Sequence, residues 1–157
     1  NNAALLAEAE QTVKLSSNQV PYSMLRRHIE AEVVPYALEN HLSIIAYSPM
    51  ERGLLTGKYK TAENLAEGDH RNSYFKRFDM NQVQSLLENL AALATKYSAS
   101  VSQLVLAWTF HQPAVTAALA GARNALQAEE NAKAMHIKIS DEDLALIRSW
   151  LPEKAFH

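Results

Sequence analysis

The chain has 157 residues, of which 48% are hydrophobic and 20% charged, with a net charge of −2 and no cysteine. Its lysines and arginines are dispersed rather than striped, and no apolar run approaches the roughly 18 residues of a membrane-spanning helix, so a nucleic-acid partner and a membrane partner are both excluded. Without thiols there is neither a disulfide framework nor a thiolate metal site, and a cytoplasmic setting is the default expectation.

In chain order, Leu5, Leu6, Ala9 and Val13 recur at helical spacing and predict an amphipathic helix over residues 2 to 13. The chain opens inside that helix, with no initiator Met. A strand follows near 15 to 22. The one local basic cluster, Arg26-Arg27-His28, reads as a solvated face at a helix entry. A helix near 32 to 40 begins around Pro35, which a first turn tolerates. Ile44, Ile45, Ala46 and Tyr47 then form an apolar run too short for a helix and right for a buried strand over 43 to 48. It stops at Ser48-Pro49, where proline removes a ladder donor and fixes its own φ.

The stretch from 58 to 78, with Gly68, Asp69 and many polar residues, reads as a long loop of the kind that serves as a lid or binding loop. Val83, Leu86, Leu87, Leu90 and Leu93 mark one face of a helix near 80 to 97, and a second helix runs from Ser102 to His111. A strand over 114 to 120 feeds a helix from Ala125 to about Ala134. Ser140 caps a last helix, with Asp143 at the capping-box position and Leu144, Ile147 and Leu151 facing inward. Strand and helix alternate, which predicts an α/β fold with a parallel sheet. There is no low-complexity linker, and we read one incomplete domain over 1–157.

Two loops invite ligands. After the strand ending at Tyr47, Gly53 and Gly57 let backbone approach a ligand closely, and Lys58 offers an ammonium to an anion. After the strand ending near Ala120, Asn124 stands where an N-cap is needed, with Gln127 three residues on. The free amides of that first turn, with Arg123 just before them, make an anion site. Gln127, Glu130 and Asn131 share one helix face. On pattern alone Tyr47 is a packed rim aromatic, the polar helix face is only a face with a cap, and Arg123 pairs with a neighbouring carboxylate. Trp108 and Trp150 are core or interface aromatics, and the six histidines have no metal-ligand spacing.

The segments AYSPM and RGLLTGKY, Asn18-Gln19-Val20-Pro21-Tyr22, and Gly121-Ala122-Arg123 through Gln127 to Glu130-Asn131 together resemble, in order and spacing, the sixth, seventh and eighth strands of the aldo-keto reductases. These are nicotinamide-dependent carbonyl reductases built on an eight-stranded (β/α)8 TIM barrel. The resemblance covers essentially the whole chain and implies the C-terminal part of such a barrel, about three strand-helix units, since a full barrel takes roughly 250 residues.

It also implies an NADP(H) site. Tyr47 stacks on the nicotinamide, Gln19 bonds its carboxamide, and Ser48, Met50 and Lys58 line the pyrophosphate. Pro49 and Gly121 belong to the same set, Gly53 lets the loop pass closely, and Arg71 closes over the cofactor. Arg123 takes the 2′-phosphate, with Gln127, Glu130 and Asn131 around ribose and adenine. Where many relatives have proline the chain has Ala120, which affects loop rigidity and no ligand.

The family reduces an aldehyde or ketone by hydride transfer, with a Tyr as proton donor tuned by a Lys, an Asp and a His. No residue of this chain matches those four, so no catalytic residue is assigned within it. The family's Ser-Asn carboxamide ligands precede Asn1. Two readings follow: the C-terminal part of an NADPH-dependent oxidoreductase acting on a small carbonyl substrate, which we favour, or a half-barrel that binds nucleotide or a partner without chemistry. The substrate and the oligomeric state are not fixed by the sequence.

Overall fold

The computed structural model describes residues 2–59 and 68–153. Three short strands, β1 (Ser17–Pro21), β2 (Ser43–Tyr47) and β3 (Val115–Leu119), form one parallel sheet in the order β1-β2-β3. Parallel neighbours require crossover connections. Helix α2 (Val33–Glu39) supplies the first crossover, while α3 (Arg71–Phe75), α4 (Met80–Lys96) and α5 (Val101–Phe110) lie in the second. Helices α1 (Ala3–Glu10), α6 (Ala125–Lys133) and α7 (Asp141–Trp150) complete the described set.

The helix starts follow from their caps. Asp79 accepts from the amides of Asn81 and Gln82, and Ser100 forms a full capping box with Gln103, so α5 begins one residue before the expected Ser102. The apolar face of α4 is as expected, with Val83, Leu86, Leu87, Leu90 and Leu93 all buried. Each such side chain contributes about 1.5–3 kcal/mol through burial. They join Ile44 and Ala46 of β2, Val20 of β1 and Trp108 of α5 in one core, where Trp108 stacks on Tyr22 at 5.7 Å between ring centroids.

Among the described residues only one face of the sheet is covered. Asn18, Val20, Ile44 and Ala46 point into the core, whereas the register places Gln19, Ile45 and Ala117 in one row of the other face and Pro21, Tyr47 and Leu119 in the next. Tyr47 is 37% exposed and Leu119 47%. A shift between Ile44 and Ile45 leaves Thr116 without a partner across the ladder and brings Ala117 level with Ile45.

Four expectations need correction. The first helix ends at Glu10 rather than 13, and of its apolar set only Leu6 is buried, with Leu5 and Val13 exposed. The stretch 58–78 is not all loop, because α3 places Tyr74 and Phe75 in the core with Phe78 close behind; residues 60–67 lie outside the described residues. Arg26-Arg27-His28 is no solvated face. Arg26 pairs with Glu51, while Arg27 donates to the Pro152 carbonyl and lies near Glu30. Asp143 does not close a capping box: its amide donates to Ser140, but its carboxylate accepts from Lys96 and from the Tyr97 hydroxyl, and that hydroxyl in turn accepts from the Ser140 amide.

Candidate functional site

A cleft of about 480 Å³ opens at the carboxyl ends of β2 and β3, where α/β sheets place their sites. Two segments wall it. The first leaves β2 at Ser48 and runs through a 3-10 turn over Glu51–Thr56 to Lys58 and Tyr59. The second leaves β3 at Leu119 and turns into α6 through Gly121, Ala122 and Arg123. Arg71 from α3 and Ser102 from α5 complete it.

The first wall is backbone under strain. Ser48, Glu51 and Arg52 all have positive φ, at 56°, 46° and 56°, followed by Gly53 at 96° and Gly57 at 74°. Left-handed backbone costs a non-glycine residue roughly 1–2 kcal/mol. A Cβ on Gly53 would only come into contact with the Tyr59 ring, at 3.4 Å, so it is the φ of 96° and not the space that favours glycine there.

What holds this turn is a carboxylate beneath it. Glu51 is fully buried at 0% exposure and accepts from the Ser23 hydroxyl, from Arg26 Nε at 3.3 Å and Nη2 at 2.9 Å, and from the Tyr74 hydroxyl. The same Tyr74 hydroxyl accepts from Arg26 Nη2 at 2.7 Å, so the cluster is closed. Burial, and then the bond to Glu51, push the Tyr74 phenol up to about 12, which keeps it a donor. Above the cluster the Arg52 guanidinium lies 4.1 Å from the Tyr74 ring centroid, a cation-π contact at the cleft wall.

Arg71 is held from the other side. Asp69 accepts from its amide at 2.9 Å and its Nε at 3.0 Å, and Arg71 Nη1 donates to the Tyr59 hydroxyl at 2.6 Å. The Arg71 guanidinium and amide hold the Asp69 carboxyl well below the usual carboxylate range.

The second wall is lighter. Asn124 caps α6 by accepting from the Gln127 amide at 2.9 Å, as expected. Gln127 reaches back not to Asn124 but one residue further, its Oε1 accepting from the Arg123 amide at 2.9 Å. Asn131 Nδ2 donates to the Gly121 carbonyl at 3.3 Å. No residue of α6 is buried.

The cleft thus brings together Ser48, Pro49, Met50, Gly53, Lys58, Arg71, Gly121, Arg123, Gln127 and Asn131. Gln19, Tyr47 and Glu130 do not line it. Gln19 and Tyr47 face the uncovered side of the sheet, and Glu130 accepts from Gln103 of α5 and from Lys133. Lining residues to which the sequence reading gave no role are Arg52, Thr56, Tyr59, Ser102, Leu119 and Ala122. Arg52 and Tyr59 sit inside the glycine-bearing stretch itself, where a basic and an aromatic residue were available signals. Nothing local marks Ser102, which reaches the cleft only through the packing of α5.

Among the described lining residues there are four cations, Arg52, Lys58, Arg71 and Arg123, and no carboxylate. With the amides that open α6, this favours a ligand carrying several negative charges. Among the described residues there is no cluster of potential metal ligands and no helix long and apolar enough to cross a membrane.

The solved glycerol dehydrogenase of Gluconobacter oxydans superposes with a TM-score of 0.87 at 24% identity, covering 96% of this chain and 46% of that one, which establishes the barrel-type fold. The NADH-specific methylglyoxal reductase of Escherichia coli (strain K12) is 35% identical over 144 residues, 91% of this chain and 44% of the relative. Aldo-keto reductase YhdN of Bacillus subtilis (strain 168) is 35% identical over 133 residues, 82% and 40% respectively. The chain therefore spans less than half the length of these relatives. The family model described as the aldo/keto reductase family matches residues 1–152, and the chain belongs to that family.

Proposed function

We propose that residues 1–157 are part of a single barrel domain of a cytoplasmic, NADPH-dependent oxidoreductase that reduces small aldehydes or ketones, and that this chain supplies most of the cofactor site. The observation that carries the reading is the cleft with four cations and no carboxylate among its described lining residues. Lys58 and the backbone around Gly53 bind the pyrophosphate, Arg71 flanks it, and Arg123 at the entry to α6 takes the 2′-phosphate. Gln127 and Asn131 hold the Gly121–Arg123 turn in place through the two bonds described above. Tyr47 lies at the carboxyl end of the uncovered face and Gln19 one row below it on the neighbouring strand, where a nicotinamide ring would lie flat against the phenol. Glu130 serves the adenosine end by fixing α6 to α5 through Gln103.

When bound, the reduced nicotinamide supplies the hydride. The residues of this chain bind and orient it, and none is assigned the proton transfer.

The relative named as NADH-specific makes cofactor choice the point to test. Arg123→Ala should raise the KM for NADPH about tenfold or more and hardly change that for NADH, because a charge-assisted contact contributes roughly 1.5–3 kcal/mol. Equal losses for the two cofactors would sink the assignment.

A second reading, nucleotide binding without chemistry, draws support from the cationic cleft together with the lack of an assigned proton donor among these residues. NADPH oxidation with 4-nitrobenzaldehyde, measured for this polypeptide alone and again joined to an N-terminal part that completes the barrel, separates the two. Turnover in the completed barrel supports the first reading, and none in either supports the second. This polypeptide alone should show no turnover, since general acid catalysis is worth about 10²–10⁴-fold and none is assigned here. Turnover by the isolated chain would place a proton donor within these residues.

A further inference from the structure

Glu51 is the only carboxylate among the fully buried described residues, and it lies within the segment that walls the cleft, although it does not line the cleft itself. Its three partners come from two elements: Ser23 and Arg26 from the turn after β1, and Tyr74 from α3. Its own backbone, with that of Arg52, takes the left-handed conformation that turns Gly53 and Lys58 toward the cleft. A charged group is removed from water only where it is fully paired. Here the pairing also decides the path of the backbone that follows.

We infer that Glu51 is a positioning residue for the cofactor: clasped by Ser23, Arg26 and Tyr74, its carboxylate fixes the Glu51–Gly53 turn and so sets the affinity of the cleft for a dinucleotide pyrophosphate without touching it. The inference rests on the cofactor reading above. It separates two halves of the ligand. The pyrophosphate faces the turn that Glu51 holds, whereas a 2′-phosphate is met by Arg123, whose wall has its own hydrogen bonds. Tyr74 enters twice, its hydroxyl on Glu51 and its ring beneath Arg52. Removing the hydroxyl alone therefore tests the clasp while the stack stays.

The experiment compares the full chain with Glu51→Gln and Tyr74→Phe, using NADP⁺ and adenosine 2′-monophosphate as probes in NMR titrations, after circular dichroism has shown that each variant is folded. The expected result is a loss of about tenfold in NADP⁺ affinity for both variants, the scale of one hydrogen bond to a charged group, with adenosine 2′-monophosphate unchanged within about twofold. A general loosening of the fold would weaken both probes alike, and that outcome overturns the inference. So does unchanged NADP⁺ affinity. If the unsubstituted chain binds neither probe, the cofactor reading fails and the inference with it. Should Glu51→Gln not fold, Tyr74→Phe decides alone.

Discussion

The two walls of the cleft are built on opposite plans. The Ser48–Lys58 wall is strained backbone secured from beneath by a buried ion pair and two hydroxyls. The Gly121–Asn131 wall has no buried residue on its helix and is secured by three exposed side-chain hydrogen bonds of its own and by Gln103 of α5, which donates to Glu130. The first wall is ordered before any ligand arrives, so binding there loses little to conformational entropy. The second, with no side chain of its helix buried, has less burial holding it in place. One cleft thus joins a pre-formed anion seat to a more lightly held one.

The contrast is open to being broken. The largest effect belongs to Glu51→Ala, which leaves Arg26 without its carboxylate and removes the support of the strained turn. Breaking a buried pair in this way costs about 3–5 kcal/mol, and urea denaturation should show a loss of that size. A loss below about 1 kcal/mol would mean that the turn holds itself.

On the second wall, Asn124→Ala removes a cap worth about 1 kcal/mol. Hydrogen exchange should show the first-turn amides of α6 opening faster by roughly fivefold, with the amides of the Ser48–Lys58 wall untouched. Equal acceleration in both would show that the walls are coupled.

A third effect is one of pH and is confined to the alkaline range. Because the Tyr74 phenol is raised to about 12 in the folded state against an ordinary value near 10, the unfolded chain loses this proton first on alkaline titration. Its contribution to stability is complete below about pH 10 and is lost as pH rises through about 12. Tyr74→Phe should flatten the fall of stability in that window and leave neutral pH dependence alone, as pH-dependent denaturation will measure.

The strands, the cap of α6 and the apolar face of α4 were legible because each is written in local spacing: Ile44 to Tyr47 for β2, Asn124 for the cap, Val83 to Leu93 for the stripe. The clasp was not. Glu51 lies 25 residues from Arg26 and 23 from Tyr74, and an acidic residue in a glycine-bearing turn looks solvated until the turn after β1 is folded beneath it. For the same reason Arg26 read as part of a wet basic cluster. Tyr74, Phe75 and Phe78 were hidden by polar neighbours, which blurred the short α3. At Gln127 the side chain did reach back as its position suggested, but landed one residue beyond Asn124, a difference of one amide that sequence spacing does not resolve. Of the expected cofactor residues, those on the two loops converge on the cleft, because loop ends at the carboxyl edge of a sheet are adjacent by topology. Gln19 and Tyr47 depend instead on which face of the sheet each strand residue takes.

The row Pro21, Tyr47 and Leu119 on the uncovered face carries a thermal consequence. Apolar surface already in water in the native state adds nothing to the heat capacity gained on unfolding. Tyr47 and Leu119, 37% and 47% exposed in this chain, therefore add little to that increment as they stand. Whatever covers the row raises the increment and makes the stability curve steeper with temperature.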